Sequence, residues 1–351
     1  MNYALKKMNY SIIVPVYNRP DEVDELLQSL TAQTEKDFEV VVVEDGSTLT
    51  CEDVCKQYAG ILDLHYYDKP NSGPGQSRNY GAERARGDYL IILDSDVVLP
   101  VDYLSNIKRH LAEGTDAFGG PDRAHPSFTP IQKAISYSMT SFFTTGGIRG
   151  GTSNTSKPKR KALDKFYPRS FNMGIRREVY QDLGGFSKMR FGEDIDFSYR
   201  IVEAGYATAR IPEAWVWHKR RTDLRKFWRQ VFNSGIARIN LTKRHPGTLK
   251  LVHLLPAVFT VGVIGLLLAA ILALLFNLRL ALLALSPLLI YSLLILIDST
   301  CRNRSLLVGL LSVPAAFVQL MGYGCGFLQA VWRRIVKRQD EFTAYEKNFY
   351  S

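Results

Sequence analysis

Apolar and polar positions fall in short alternating blocks along the first two thirds of the chain. "YSIIVPVYN" (10–18) is a brief apolar run stopped by Pro15 and Asn18, the pattern of a buried strand. "DEVDELLQSLTAQ" (21–33) follows with Val23, Leu26, Leu27 and Leu30 at helical spacing, and Asp21 stands where an N-cap is expected. "FEVVVVED" (38–45) predicts a second buried strand, broken by "GST". Residues 51–59 predict a helix and 62–67 a third strand. "NSGPGQSRNYGAERARG" (71–87) is a glycine-rich loop entering a helix, and "DYLIILDSD" (88–96) is a fourth strand. Beyond it, 102–113 predicts a helix and "DAFGGP" (116–121) a short strand and turn. Residues 171–186 have strand-then-helix character, closed by Gly184 and Gly185. Residues 192–206 open a helix with acidic side chains, where the macrodipole favours them, and Gly205 is placed to end it. Residues 144–170, rich in Gly, Ser, Thr and Lys, predict a long loop.

Strands alternating with helices define an α/β chain with a mainly parallel, Rossmann-like sheet. In such sheets ligands bind outside the carboxyl ends of the strands. Asp45, Asp94 and Asp96 all stand at such ends, so one cleft collects them. Two carboxylates separated by one residue offer oxygen ligands to a common space, which suits Mg²⁺ or Mn²⁺. The chain has neither a phosphate-loop Gly-x-x-x-x-Gly-Lys-Ser/Thr nor a dinucleotide fingerprint at 73–81. A metal ion and a nucleoside diphosphate fit this pattern; a nicotinamide cofactor does not.

The pattern changes near residue 251. The stretches 251–276, 280–297 and 305–332 contain no Asp, Glu, Lys or Arg. The first and third exceed the roughly 20 apolar residues a bilayer crossing needs, and the second is at the short end. A transmembrane region over 249–334 is expected, with a polar tail at 335–351. Ile12 to Tyr17 is too short for a secretory leader. The expected placement is therefore multi-pass in the cytoplasmic membrane with the N-terminal domain cytosolic. Arg333, Arg334, Lys337 and Arg338 follow the third segment directly, against the positive-inside expectation for three crossings, so the topology stays open.

Charge and cysteine usage narrow the partners. The net charge of +10 is concentrated: 149–169 hold seven Lys/Arg against one Asp, and 218–244 hold nine against one. The second block leads into the apolar region and suits membrane lipids with anionic or phosphate headgroups. No nucleic-acid-reading module is present. The four cysteines show neither a disulfide nor a zinc spacing. Within 223–248, Leu224, Phe227, Trp228, Val231 and Phe232 oppose Arg225, Lys226 and Arg229. An amphipathic helix on the membrane surface, or one packed against the N-terminal domain, fits that pattern.

The ordered set "SIIVPVYNRP", "VVVEDGST", "NSGPGQSRNYGAERARGDYLIILDSDV", "FNMGIRREVYQDLGGF" and "FGEDIDFSYRIVEAGY" resembles the family 2 glycosyltransferases over about residues 10–240. The resemblance implies a GT-A nucleotide-diphospho-sugar transferase fold over 1–222, followed by the helical membrane region, and inversion at the anomeric centre. By the same resemblance Pro15 and Tyr17 frame the nucleobase, and Asp45 accepts from a ring N–H. Glu44 either touches the ribose or only closes its strand. Arg78 approaches the diphosphate, Asp94 lies near the ribose or sugar, and Asp96 ligates Mn²⁺ or Mg²⁺. Asp194 is the general base and Glu193 orients the acceptor or the base, while Asp196 is structural. His218 and Arg221 resemble a His-X-X-Arg element that faces the diphosphate. Gln230 is not followed by the Arg-Trp of processive synthases, which argues against polymerisation. Arg149, Lys157, Lys159, Arg160 and Lys161 either meet a lipid-linked diphosphate acceptor or lie in a solvated loop.

The expected function is transfer of one sugar from a UDP- or GDP-sugar to a lipid-linked saccharide in envelope or exopolysaccharide synthesis. The alternatives are a polyprenyl-phosphate sugar synthase and a non-catalytic nucleotide-sugar sensor.

Overall fold

The computed structural model describes residues 9–111, 114–145 and 166–341. They form two compact units. The first comprises residues up to 125 together with 166–219, and the second comprises 126–145 together with 220–341.

The first unit opens with β1 (Tyr10–Val16), α1 (Pro20–Thr31), β2 (Phe38–Asp45), α2 (Glu52–Tyr58), β3 (Asp63–Lys69), α3 (Pro74–Arg84) and β4 (Tyr89–Leu93). It continues with β5 (Val97–Val98), α4 (Tyr103–Leu111), β6 (Ala117–Gly119) and β7 (Asp122–Arg123). After the second unit's α5 (Pro130–Thr140) and α6 (Phe142–Thr145), it resumes with β8 (Asn172–Arg176), α7 (Arg177–Asp182), α8 (Glu193–Glu203), β9 (Thr208–Arg210) and β10 (Val216–His218). The main sheet has the order β3-β2-β1-β4-β8-β6-β9. Its first four strands are parallel, and β8 runs antiparallel between β4 and β6. The strand order reverses at β1, which places the switch-point crevice beside the ends of β1, β2 and β4.

Both faces of the sheet are buried, which explains why its strands are apolar runs and not alternations. Ile12, Val14, Val40, Val42, Ile91 and Leu93 face one core, with Val23, Leu26, Leu27 and Leu30 of α1 and Ile107 of α4. The alternate residues Ile13, Val41, Val43, Leu90 and Ile92 face the other, with Tyr180 of α7 and Phe197 and Ile201 of α8. Asp21 does not cap α1. Arg19 holds the cap position and Pro20 starts the helix, where its missing N–H and fixed φ fit, so Asp21 sits in the first turn.

The second unit contains α5, α6, α9 (Leu224–Arg244), α10 (Leu255–Leu274), α11 (Leu278–Asn303) and α12 (Leu306–Val331). Asp223 caps α9 by accepting from the Lys226 N–H at 2.7 Å. Among the described residues, three helical stretches are long and apolar enough to cross a membrane: Leu251–Leu274, Leu278–Asn303 and Leu306–Val336. The apolar stripe of α9 is not bare. Phe227 and Val231 pack against Val318 and Tyr323 of α12 and against Ile135 of α5. The sequence reading missed α5 and drew one boundary near residue 222, whereas 126–145 join the apolar helices. Its signal was present: Thr129 and Gln132 form a capping box around Pro130.

Candidate active site

The carboxyl edge of the sheet is shaped first by turns. Asn18 follows β1 with φ 54°, a left-handed conformation that Asn tolerates. Its Oδ1 accepts from the Thr48 and Leu49 N–H groups, each at 2.8 Å, and its own N–H donates to Ser47 Oγ at 2.8 Å. The turn after β1 is thereby tied to the turn after β2. Pro15 and Tyr17 lie half-buried on this rim.

Glu44 and Asp45 end β2, both buried. Glu44 accepts from Ser47 Oγ, from the Cys51 N–H at 2.8 Å and from Cys51 Sγ at 3.0 Å, so its contacts close the strand end. Asp45 pairs with Lys69 and accepts from the N–H groups of Ser72 at 2.9 Å and Gly73 at 2.8 Å. It thus fixes the path of the loop that enters α3. Gly46 (φ +70°) is needed here, because a Cβ would stand 2.7 Å from the Asn71 nitrogen.

Arg78 lies inside α3 and is buried, its guanidinium over the Phe186 ring. Nη2 donates to Asp94 Oδ1 at 2.8 Å and Nη1 to Glu193 Oε1 at 3.0 Å. Burial alone would lower its pKa, but Asp94 and then Glu193 more than offset this and hold it above the usual arginine value. Glu193 opens α8 after Gly192, which takes φ 87°. Burial pushes its carboxyl up to about 7; Arg78 opposes the shift and neighbouring Asp194 adds to it. Asp194 Oδ2 accepts from Arg169 Nη1 at 3.4 Å. Asp196 is buried within its own helix, accepting from Ser187 Oγ at 2.8 Å and Arg200 Nε at 3.1 Å.

Asp96 follows the end of β4 and precedes β5. Because β5 pairs antiparallel with β10, His218 lies opposite Val97. Its Nε2 is 3.2 Å from Asp96 Oδ1, its Nδ1 is 4.0 Å from Asp122 Oδ2, and its ring stacks on Phe171 at 4.9 Å. One ligand atom each from Asp94, Asp96 and His218 fall within 4.8 Å of one another. Asp94 and Glu193 pair with Arg78, and Asp194 with Arg169, while the oxygen and imidazole donors of Asp94, Asp96 and His218 are of the kinds that suit a divalent cation.

The structure therefore brings Asp94, Asp96, Arg78, Glu193 and His218 into one connected group, with Asp194 adjoining it. Arg221 falls in the second unit. The loop cations Arg149, Lys157, Lys159, Arg160 and Lys161 lie outside the described residues. Sequence reasoning missed Asn18, Arg169 and Asp122. Asn18 had a signal, an Asn directly after an apolar strand; Arg169 and Asp122 had none.

Residues 11–184 match glycosyl transferase family 2, and the chain belongs to that family. It is 30% identical over 241 residues to the pre-mycofactocin glycosyltransferase of Mycobacterium tuberculosis, covering 67% of this chain and 48% of that one. It is 33% identical over 150 residues to an uncharacterized glycosyltransferase of Rickettsia felis, covering 41% of this chain and 24% of that one. The chain thus spans half or less of these curated relatives. Its fold is similar to that of the mannosyltransferase PcManGT from Pyrobaculum calidifontis, solved with GDP-Man and Mn²⁺. That likeness has a TM-score of 0.57 at 16% identity, covering 93% of this chain and 88% of that one. The fold is of the GT-A type, followed by apolar helices.

Proposed function

We propose that the protein is a membrane-bound, inverting, metal-dependent glycosyltransferase. It moves one sugar from a UDP- or GDP-sugar to a hydroxyl of a lipid-linked saccharide at the cytoplasmic membrane face, in envelope or exopolysaccharide synthesis. The observation that carries this reading is the bridge made by Arg78. One guanidinium holds Asp94 of the Asp94/Asp96/His218 group and Glu193, the neighbour of Asp194. A donor-side group and a base-side group are thereby fixed to each other.

In this reading Asp94, Asp96 and His218 hold Mn²⁺ or Mg²⁺, and the imidazole in the set favours Mn²⁺. When bound, the ion stabilises negative charge on the nucleoside diphosphate as it leaves. Pro15 and Tyr17 frame the base. Asp45, whose Oδ2 also accepts from the Gly73 N–H at 2.8 Å and from Asn71 Nδ2 at 3.4 Å, is the residue assigned to a ring N–H of the base. Arg78 is a positioning residue that ties the two halves of the site. Asp194 takes the proton of the acceptor hydroxyl as the oxygen attacks the anomeric carbon from the face opposite the leaving group. Glu193 orients that base. The missing Arg-Trp after Gln230 argues for addition of one sugar and against polymerisation.

The test is nucleoside-diphosphate release from UDP-, GDP- and dTDP-sugars by the protein in native membranes with Mn²⁺ or Mg²⁺, beside Asp194→Asn. Release from one donor, lost in the variant, supports the reading. Donor binding without release, even after lipid extract is added, would instead indicate a sensor. Transfer to polyprenyl phosphate itself would replace the saccharide acceptor.

A further inference from the structure

We propose that the chain crosses the bilayer only twice, through α10 and α11. α12, despite its length, lies with α9 along the headgroup region of the face on which α10 begins. The inference rests on reading the apolar helices as bilayer helices.

α10 and α11 are joined through residues 275–277 and form a hairpin, with Phe259 of one 5.4 Å from Tyr291 of the other. Each is long enough to span the hydrocarbon core, α10 with 20 residues and α11 with 26. Their outward leucines, such as Leu268, Leu272 and Leu283, are exposed. If α10 starts on one face, α11 ends on that same face. α12 begins there too, after a turn at Arg304 and Ser305, and runs back along α11. Ser299 and Ser312 are hydrogen-bonded at 2.7 Å, and Tyr291 and Phe317 stand 5.8 Å apart.

The far end of α12 does not arrive at the hairpin tip. It returns to the start of α10. Phe327 packs with Ala257, and Gly324 lies against Pro256 and Thr260. Beyond it, Arg334 Nε donates to Asn240 Oδ1 at 3.0 Å, and Lys243 Nζ donates to the Arg334 carbonyl at 3.2 Å. Asn240 and Lys243 belong to the last turns of α9, which directly precedes α10. Both ends of α12 are therefore on the face where α10 begins.

α9 lies beside the second half of α12, running in the same direction. Leu224 packs near Val318, Gly235 faces Tyr323 and Phe327, and Ile239 packs with Ala330. Its outer side exposes Arg225, Lys226, Arg229, Lys243 and Arg244, which hydrocarbon would not accommodate along a whole helix. The cover is also uneven. Of each helix's most apolar stretch, 44% is buried for the segment containing α12, against 22% for α10 and 11% for α11. Less of α12 is left for lipid. The cations after it, Arg333, Arg334, Lys337 and Arg338, then share the face of Lys243, Arg244 and Lys250, in keeping with the positive-inside rule.

The test is side-specific labelling of the full chain in sealed right-side-out and inverted vesicles with a membrane-impermeant maleimide. Single cysteines are placed by Lys250→Cys, Arg279→Cys and Lys337→Cys, all exposed positions, in a Cys301→Ser, Cys325→Ser background; Cys51 and Cys55 are buried. The expected result is that positions 250 and 337 label in one vesicle orientation and 279 in the other. Labelling of 337 together with 279 would overturn the proposal in favour of a third crossing. Labelling of all three in one orientation would overturn it in favour of a re-entrant hairpin. An epitope tag after Ser351 on the unsubstituted chain reports the same sidedness should a variant misfold. Absence of the protein from the membrane fraction would defeat the bilayer reading itself.

Discussion

Glu193 is a carboxyl held close to neutral pH by burial, and replacing it with glutamine should change how stability depends on pH. The ordinary glutamate value is 4.5, and in the folded protein it rises to about 7. The fold therefore binds a proton that the unfolded chain releases between these values. Stability from this group is fully present below pH 4.5 and is lost as pH rises through 7. A shift of that size corresponds to about 3 kcal/mol at 1.36 kcal/mol per unit, with the Arg78 pair already included. Glu193→Gln mimics the neutral form at every pH. It should exceed the unsubstituted protein by less than about 1 kcal/mol at pH 5 and by up to about 3 kcal/mol at pH 8. For a domain of this size that is roughly 6–12 °C in Tm. The assay is thermal unfolding of the purified full chain in nanodiscs at pH 5, 6.5 and 8. Parallel curves for the two proteins, with no pH-dependent gap, would refute the burial argument. On the proposed function, in which Glu193 orients the base, the same variant should also transfer sugar poorly.

Other perturbations separate the parts of the site. Asp194→Asn should bind the donor normally and transfer about 10²–10⁴-fold more slowly, as loss of a general base predicts; normal turnover would remove it from that role. Asp96→Asn and His218→Ala should each abolish the Mn²⁺-dependent part of nucleotide binding measured by calorimetry, and an unchanged metal dependence would exclude them as ligands. Asn18→Ala removes two backbone acceptor contacts of 2.8 Å and should weaken donor binding by about 1–2 kcal/mol, seen as a rise in Kd that metal does not restore. Gly235→Leu would drive a side chain into the Tyr323 and Phe327 backbone and should lower the yield of monodisperse protein in detergent, whereas Arg229→Gln, on the exposed side of α9, should not.

Much of the first unit was legible because both faces of its sheet are buried. Buried strands leave unbroken apolar runs, so Ile12 to Val16, Val40 to Val43 and Leu90 to Leu93 announced themselves. The acids at their ends were legible for the same reason: a charge that interrupts a buried run marks a strand terminus. What the sequence did not disclose was pairing at a distance. The contact of His218 with Asp96 depends on β5, a two-residue strand too short to leave a pattern. The bridge from Arg78 to both Asp94 and Glu193 depends on three elements converging. α5 was overlooked because its helical face is mixed and its apolar side meets helices much later in the chain. The three apolar segments were plain from composition, but the return of α12 to the start of α10 was not, since composition records length and polarity and not direction.

The central claim is that Asp194 drives an inverting transfer from a metal-bound nucleoside diphosphate sugar. The most direct test uses one donor of defined anomeric configuration and a lipid-linked acceptor extract, with the product linkage read by NMR for the unsubstituted protein and for Asp194→Asn. The account predicts a product of opposite anomeric configuration, formed only with Mn²⁺ or Mg²⁺, and almost none from Asp194→Asn despite intact donor binding. A product of retained configuration, or normal turnover by Asp194→Asn, would contradict it.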